Sequence, residues 1–466
     1  MKILNHNHLQ LFHNKHIRVY LYNGDKYEGY PYDIAPHKNG FYLLPKQIVI
    51  KDIKQYEPYP YVNYQSLADI KEISPDELKS FPDFGNISPY KPATKLFIFG
   101  AGASYDFDMS GSAGARKKFP LTKELFDDHY KDYCKEFPVL YKQWATMKIK
   151  ATNLEKYFES EYKKTKEYYH PETSFKLLSV QYYLGHLFRS LSNDFIDHPE
   201  SCYQTLVDLV NTYSRRNNEK VLMVNFNYDT LLDNAFETTL NVQLKDLNSY
   251  TNEGNRLLYY KPHGSSNWYR KINIETSSEL QLYIAAPLKY FALKNLSYGE
   301  VRSCCSESVT VIGSVEDGID NSQYGILKFP ELLIPYSDKD DFVMPNNHKL
   351  SLDRNLTTVN DIFIIGWKGG EETFLKKLKE KAVDVKRVFC VCYDNRETAE
   401  RIFSILPHVD IYFFNSISPK IVKEESTFFN YAKAIIESDE LIPEGFIKHN
   451  LETYSKATNS KLKFVG

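Results

Sequence analysis

The sequence predicts an α/β protein: a doubly wound parallel sheet with a helical insertion, preceded by a small β-barrel domain. Three observations point there. Apolar runs that do not alternate, Leu96–Phe99, Val221–Val224 and Ile362–Ile365, read as strands buried on both faces of a parallel sheet. From 361 to 436 strands and helices follow in a β-α-β-α-β rhythm. Near the start, Ile17, Val19 and Leu21 alternate along one strand, Asn23-Gly24 gives a strong hairpin signal, and 25–30 returns.

The chain has 466 residues, 42% hydrophobic and 25% charged, enough for two or three domains with full cores. No apolar run approaches the roughly 20 residues of a membrane span, and the amino terminus lacks a signal-peptide core, so the protein is expected in the cytoplasm. Six cysteines (Cys134, Cys202, Cys304, Cys305, Cys390 and Cys392) suit reduced thiols there, and without paired C-x-x-C motifs no zinc ribbon and no metal are expected. A net charge of −2 gives no global basic field, leaving nucleic-acid binding open only as a local patch.

Taken in order, residues 1–60 form a β-rich module, with further strands expected at 40–44 and 47–50. Gly29 suits a bend in a curved sheet. The module is either an appendage for packing or oligomerisation, or a nucleic-acid or peptide sensor. Residues 61–93, with Pro75, Pro82, Pro89 and Pro92, read as a linker containing one short helix at 74–79. The core domain spans 94–436. Its helical insertion, about 121–215, shows Leu177, Val180, Leu184, Leu187 and Leu191 at helical spacing. A second, irregular insertion, about 270–350, contains candidate strands at 281–284, 308–312 and 331–336. Strands at 361–365, 387–392 and 410–414, with helices at 371–381, 396–406 and 424–436, complete a Rossmann-like sheet, and 437–466 is a polar tail.

The candidate site residues sit at strand ends. The first strand breaks into Gly100-Ala101-Gly102-Ala103-Ser104, where small residues permit close backbone approach to a phosphate; a bare tight turn would read the same way. The second runs into Asn225-Phe-Asn227-Tyr-Asp229, with Asp229 also a good cap for the next helix. The third runs into Lys261-Pro-His263-Gly264-Ser265, and the fourth into Ile365-Gly366. Doubly wound sheets bind ligands at such carboxyl ends, and Asn395, near the end of the fifth strand, is a candidate ribose contact.

The order of these motifs resembles the sirtuin family, and within it the sirtuin-like domains of bacterial anti-phage defence proteins; the resemblance spans about 95 to 430. Gly100–Ser104 is similar to the family's NAD pyrophosphate loop, Asn225–Asp229 to its Asn-centred motif, with Asn225 in place of a Thr. Lys261–Ser265 is similar to the catalytic-histidine motif and Gly366 to the later nucleotide turn. The amino-terminal module resembles an Sm-like or SH3-like barrel. The chain departs from the sirtuin deacylases in lacking their four-cysteine zinc module and in carrying Trp367-Lys368 where Ser or Thr is usual.

The resemblance implies NAD+ as substrate, with Asn227 and His263 catalytic and Gly100 to Ser104, Asn225, Asp229, Gly264, Ser265, Gly366 and Asn395 around the nucleotide. The Asn227 amide offers both donor and acceptor to a ribose or a water, and a histidine with an ordinary pKa near 6.5 is a general base at neutral pH. The expected activity is hydrolysis of NAD+ to nicotinamide and ADP-ribose, gated as an abortive-infection effector through a homo-oligomer or a co-encoded defence protein such as an ATPase. The alternatives are a protein deacylase or ADP-ribosyltransferase, and a non-catalytic NAD or ADP-ribose sensor.

Overall fold

The computed structural model describes residues 17–21, 26–32, 40–44, 61–63, 67–72, 93–105, 118–167, 170–195, 202–252, 255–273, 287–312, 327–335, 342–392, 395–414, 427–444 and 446–449. In the amino-terminal part β1 (Ile17–Leu21), β2 (Lys26–Tyr32), β3 (Gly40–Leu44), β4 (Tyr61–Asn63) and β5 (Leu67–Glu72) form an antiparallel sheet in the order β4-β3-β2-β1-β5. Ile17 pairs with Gly29 and Tyr20 with Lys26, the antiparallel pairing expected of a hairpin, while Asn23-Gly24 itself falls outside the described residues. The sheet reaches past residue 60: β4 and β5 lie in the stretch read as linker, where prolines and polar residues masked two short strands that long-range pairing holds. The expected strand at 47–50 and helix at 74–79 fall outside the described residues, and among those described the sheet has two edges.

The central sheet has seven strands in the order β15-β14-β13-β12-β6-β7-β8. These are β6 (Ala93–Phe99), β7 (Lys220–Asn225), β8 (Leu257–Tyr260), β12 (Asp361–Ile365), β13 (Arg387–Val391), β14 (Asp410–Phe414) and β15 (Phe446–His449). All neighbours run parallel except β14 and β15. The chain winds outward from β6 through β7 to β8, then resumes on the other side of β6 with β12, β13 and β14. The winding therefore reverses between β6 and β12, the point at which open sheets of this kind leave a crevice.

Rows of side chains cross the strands in register. Phe97, Phe363, Phe389 and Tyr412 are consecutive cross-strand partners, their ring centroids 4.5, 4.8 and 5.1 Å apart. Two residues earlier, toward the amino ends, the partners are Lys95, Asp361, Arg387 and Asp410, alternating in charge. Asp361 accepts from Lys95 at 2.9 Å and from both arms of Arg387 at 2.7 and 2.8 Å. Burial opposes its charged form, but these two cations hold its carboxyl below the usual range.

The helical insertion contributes Leu154–Glu167, Pro171–Asp194 and Cys202–Asn217. The longest buries Leu177, Val180, Leu184, Leu187 and Leu191, the face read from the sequence. Gln181 on the same helix donates to the carbonyls of Pro330 and Leu332 at 2.7 and 2.5 Å. That ties the insertion to a second sheet, antiparallel in the order β10-β9-β11, made of β9 (Gly264–Ile272), β10 (Cys305–Val311) and β11 (Lys328–Leu332). Residues 264–268, which begin in the run expected just past a strand end, thus open a nine-residue strand. Their Gly, Ser and Asn content gives no strand signal; pairing on both sides makes one. The candidate strand at 281–284 lies outside the described residues. No helix among the described residues is long and apolar enough to cross a membrane.

The helix Asn346–Leu356 carries His348 into the core, among the rings of Tyr250, Tyr260 and Trp268. Its Nε2 lies 2.7 Å from the Leu247 carbonyl, which can only accept, so Nε2 bears the proton. Burial pushes its pKa down to about 4. The unfolded chain therefore takes up a second proton on this ring near pH 6.5 and the folded chain, at Nδ1, only near pH 4, so stability present above 6.5 is lost between those values, about 3 kcal/mol in all. Denaturation midpoints at pH 7 and pH 4.5 should fall less for His348→Gln than for the wild type; equal falls would refute this assignment.

Candidate functional site

At the winding reversal the turns after β6 and β12 touch backbone to backbone. Gly100 N donates to Ile365 O and Gly102 N to Gly366 O, both at 3.0 Å. A Cβ on Gly100 would lie 2.6 Å from Trp367 Cα, and one on Gly102 2.9 Å from Gly366 Cα. Gly366 has φ +62°, and its Cβ would fall 2.1 Å from Ala103 N. The space these glycines leave is thus taken by the partner turn, and two of the amides expected at a phosphate are engaged there. The helix after β6, Ala101–Tyr105, is one short turn, with Ala103 and Ser104 buried and Ala101 partly exposed.

This contact places Ser104 under the turn after β7. Asn227 Nδ2 donates to Gly100 O at 3.0 Å and to Ser104 Oγ at 2.9 Å. Gly100 O only accepts, which fixes the orientation of the carboxamide and leaves Oδ1 as the atom a ligand would meet. Ser104 Oγ donates to Asp229 Oδ2 at 2.8 Å and lies 2.9 Å from the Tyr203 hydroxyl, on the helix Cys202–Asn217. With the serine proton directed at a carboxylate, the tyrosine is the donor in that second bond. Asp229 Oδ1 also accepts from Leu231 N at 3.1 Å, the first residue of the helix Leu231–Leu240, but the cap position itself falls to Thr230, whose side chain makes no cap bond, so Asp229 stands one residue before the cap expected of it. Burial raises the Asp229 pKa against the opposing pull of Lys261 and Ser104, and it raises Tyr203 well above the ordinary tyrosine value.

Asn225 lies one layer deeper. Its Oδ1 accepts from Asn227 N and its Nδ2 donates to Tyr259 OH, both at 3.0 Å. Tyr259 donates to Asp233 at 2.8 Å, and Asp233 also accepts from Tyr250 at 2.7 Å and from Lys261 at 2.9 Å. Lys261 Nζ reaches the Asp229 carbonyl as well, at 2.6 Å. Every polar group in this network is buried.

His263 follows β8 and stands beside both neighbours of Asn227. Its ring centroid is 4.9 Å from that of Phe226 and 6.3 Å from that of Tyr228. Phe226 stacks on Trp367 at 5.5 Å and 8°. Trp367 Nε1 bonds Glu371, so the residue departing from the usual Ser or Thr fills the β12 turn with an indole. His263 is 4% exposed. Gly264, at φ +75°, turns the chain against Glu331, whose carbonyl would lie 2.1 Å from a Cβ. Ser265 is buried with its Oγ 3.5 Å from Tyr228 O.

The structure therefore gathers Gly100, Gly102, Ala103, Ser104, Asn225, Asn227, Asp229 and Gly366 into one cluster, with His263, Gly264 and Ser265 on its flank. Asn395 is apart: it opens the helix Asn395–Ile405 after β13, two strands from β6. Sequence reasoning gave no role to Tyr203, Asp233, Tyr259 or Lys261. Tyr203 and Asp233 sit on helices with no motif, whereas Lys261 lies in the histidine run, where a lysine at the end of a buried strand is the one signal that could have found it. A cavity of about 290 Å³ lies elsewhere, at the amino edge of the sheet, lined by Lys95, Tyr213, Arg216 and Arg387 among others. Its cations already face Asp361 and Asp439. Among the described residues no group of three or more His, Cys, Asp or Glu is placed to hold a metal ion.

No protein-family model matches the chain. No curated protein matches it either. Among solved structures it is similar to Sir2Tm bound to a propionylated peptide, at 9% identity over 75% of this chain and 94% of that one, with a TM-score of 0.30. A likeness so distant carries no argument, and the class this fold and site define is an α/β protein with a buried polar cluster at the carboxyl rim of a doubly wound sheet.

The contact between the turns yields a direct test. Gly366→Ala combines a positive φ with a clash on backbone and should cost more than about 2 kcal/mol in urea denaturation. Gly299→Ala, in a helix with nothing within 4 Å of the new Cβ, should leave stability unchanged or slightly raised. Equal effects of the two substitutions would show that the turns do not depend on this contact.

Proposed function

We propose that the chain is an NAD+ hydrolase that releases nicotinamide and ADP-ribose. The observation that carries the reading is the convergence of Asn227, Ser104, Asp229 and His263 at the carboxyl ends of β6, β7 and β8, next to the winding reversal. NAD+ would lie across the β6 and β12 turns, met at the partly exposed Ala101 rather than by the Gly100 and Gly102 amides. A ribose hydroxyl or the attacking water would donate to Asn227 Oδ1, and His263 would accept the proton of the nucleophile. Asp229, Tyr203 and Ser104 would hold the carboxamide without touching substrate. Cleavage leaves an oxocarbenium-like ribose, and water adds to its anomeric carbon while nicotinamide departs with the bonding pair.

Such an activity left ungated would empty a cell of NAD+, which fits an effector of anti-phage defence controlled by a homo-oligomer or a co-encoded partner. A second reading has its own support. Both Asn227 amide hydrogens are spent inside the protein and His263 is almost fully buried, as suits a module that binds NAD+ without turning it over.

Nicotinamide release by purified protein, and NAD+ in expressing cells before and after challenge with several phages, separate the two. Turnover should fall at least about 100-fold in Asn227→Ala and in His263→Ala with melting temperatures kept, as expected for loss of a general base or its orienting partner. Tight NAD+ binding without nicotinamide release under phage challenge would favour the sensor.

A further inference from the structure

We infer that Lys261 and Asp233 are positioning residues: their buried ion pair locks the turn bearing His263 onto the turn bearing Asn227. Lys261 side-chain exposure is 0% and that of Asp233 3%. The ammonium bonds the Asp233 carboxylate at 2.9 Å and the Asp229 carbonyl at 2.6 Å, so one side chain from the end of β8 grips both the loop after β7 and the helix behind it. A second route leads to the same place. From Asp233 bonds run through the Tyr259 hydroxyl and the Asn225 carboxamide to the backbone N–H of Asn227. On the other side, Gly264 N bonds Lys261 O at 3.0 Å, closing a turn around His263.

Both oxygens of Asp233 are engaged, Oδ1 by Tyr250 and Oδ2 by Tyr259 and Lys261. A pair this deeply buried gains little net stability over apolar side chains of similar volume, because desolvating two charges offsets their attraction. What it supplies here is direction: Asp229 O and the Asn225–Asn227 link are held at fixed distance from the residue two before His263. The functional part of this inference rests on the proposed NAD+ site; the locking of the turns does not.

The test uses the full chain and Lys261→Met/Asp233→Asn, which removes both charges and keeps a carboxamide that accepts from one of the two tyrosine hydroxyls and donates to the other. Hydrogen–deuterium exchange and NAD+ titration calorimetry are measured at matched melting temperature. Exchange should rise at least tenfold in peptides covering 226–230 and 262–266, with β6 and β12 unchanged, and the NAD+ dissociation constant should rise at least tenfold. Exchange equal to the wild type, or raised equally throughout, overturns the inference. If the double variant does not fold, Tyr259→Phe cuts the Asp233–Asn225 link while sparing the ion pair, and the same criterion applies to 225–230. A wild type that does not bind NAD+ would remove the proposed function, while the exchange pattern still decides the locking.

Discussion

The turns at Gly100–Gly102 and Gly366 meet at the one place where the sheet reverses its winding, and the geometry of the cluster follows from their contact. Side chains there would force the turns apart, most of all at Gly366, since the missing Cβ atoms would fall between 2.1 and 2.9 Å from backbone. Because the turns close on each other, Gly100 O points at Asn227 and Ser104 lies within 2.9 Å of the same carboxamide. The glycines serve protein against protein first, and any ligand is received by what they place.

Below that contact the site is held by charge in a dry interior. Isolated burial of Asp229, Asp233 or Lys261 would cost several kcal/mol each. The network meets this cost with tyrosine hydroxyls, a serine, two asparagines and main-chain groups, so that each charge finds partners. The amino ends of the strands use a simpler device, the alternating row of Lys95, Asp361, Arg387 and Asp410. One end of the sheet is therefore pinned by ion pairs near solvent, and the other by a network that shapes a site.

Much of this was legible in the sequence, for identifiable reasons. Fully apolar strands, the Asn-Gly hairpin and the β-α alternation after 361 are local signals, and the structure carries them. Asn225, Asn227 and Asp229 stood out because polar residues at the end of a buried strand need a purpose. Long-range pairing was not legible. No local signal marks 264–268 as the start of β9, or 61–72 as the source of two more strands for the first sheet. Nor does any local pattern say that Tyr203, 99 residues from Ser104 in the chain, would stand beside its hydroxyl. Lys261 is the instructive case: it lies in the same run as His263, and only the fold shows that its partner is a carboxylate on the helix Leu231–Leu240.

The most direct measurement is the position of ADP-ribose in a crystal of the complex. The ligand should cross the carboxyl ends of β6 and β12, with a ribose hydroxyl within hydrogen-bond reach of Asn227 Oδ1 and His263 beside the exposed anomeric carbon. ADP-ribose lodged instead in the cavity between Lys95, Arg216 and Arg387, at the opposite edge of the sheet, would contradict the assignment of the site.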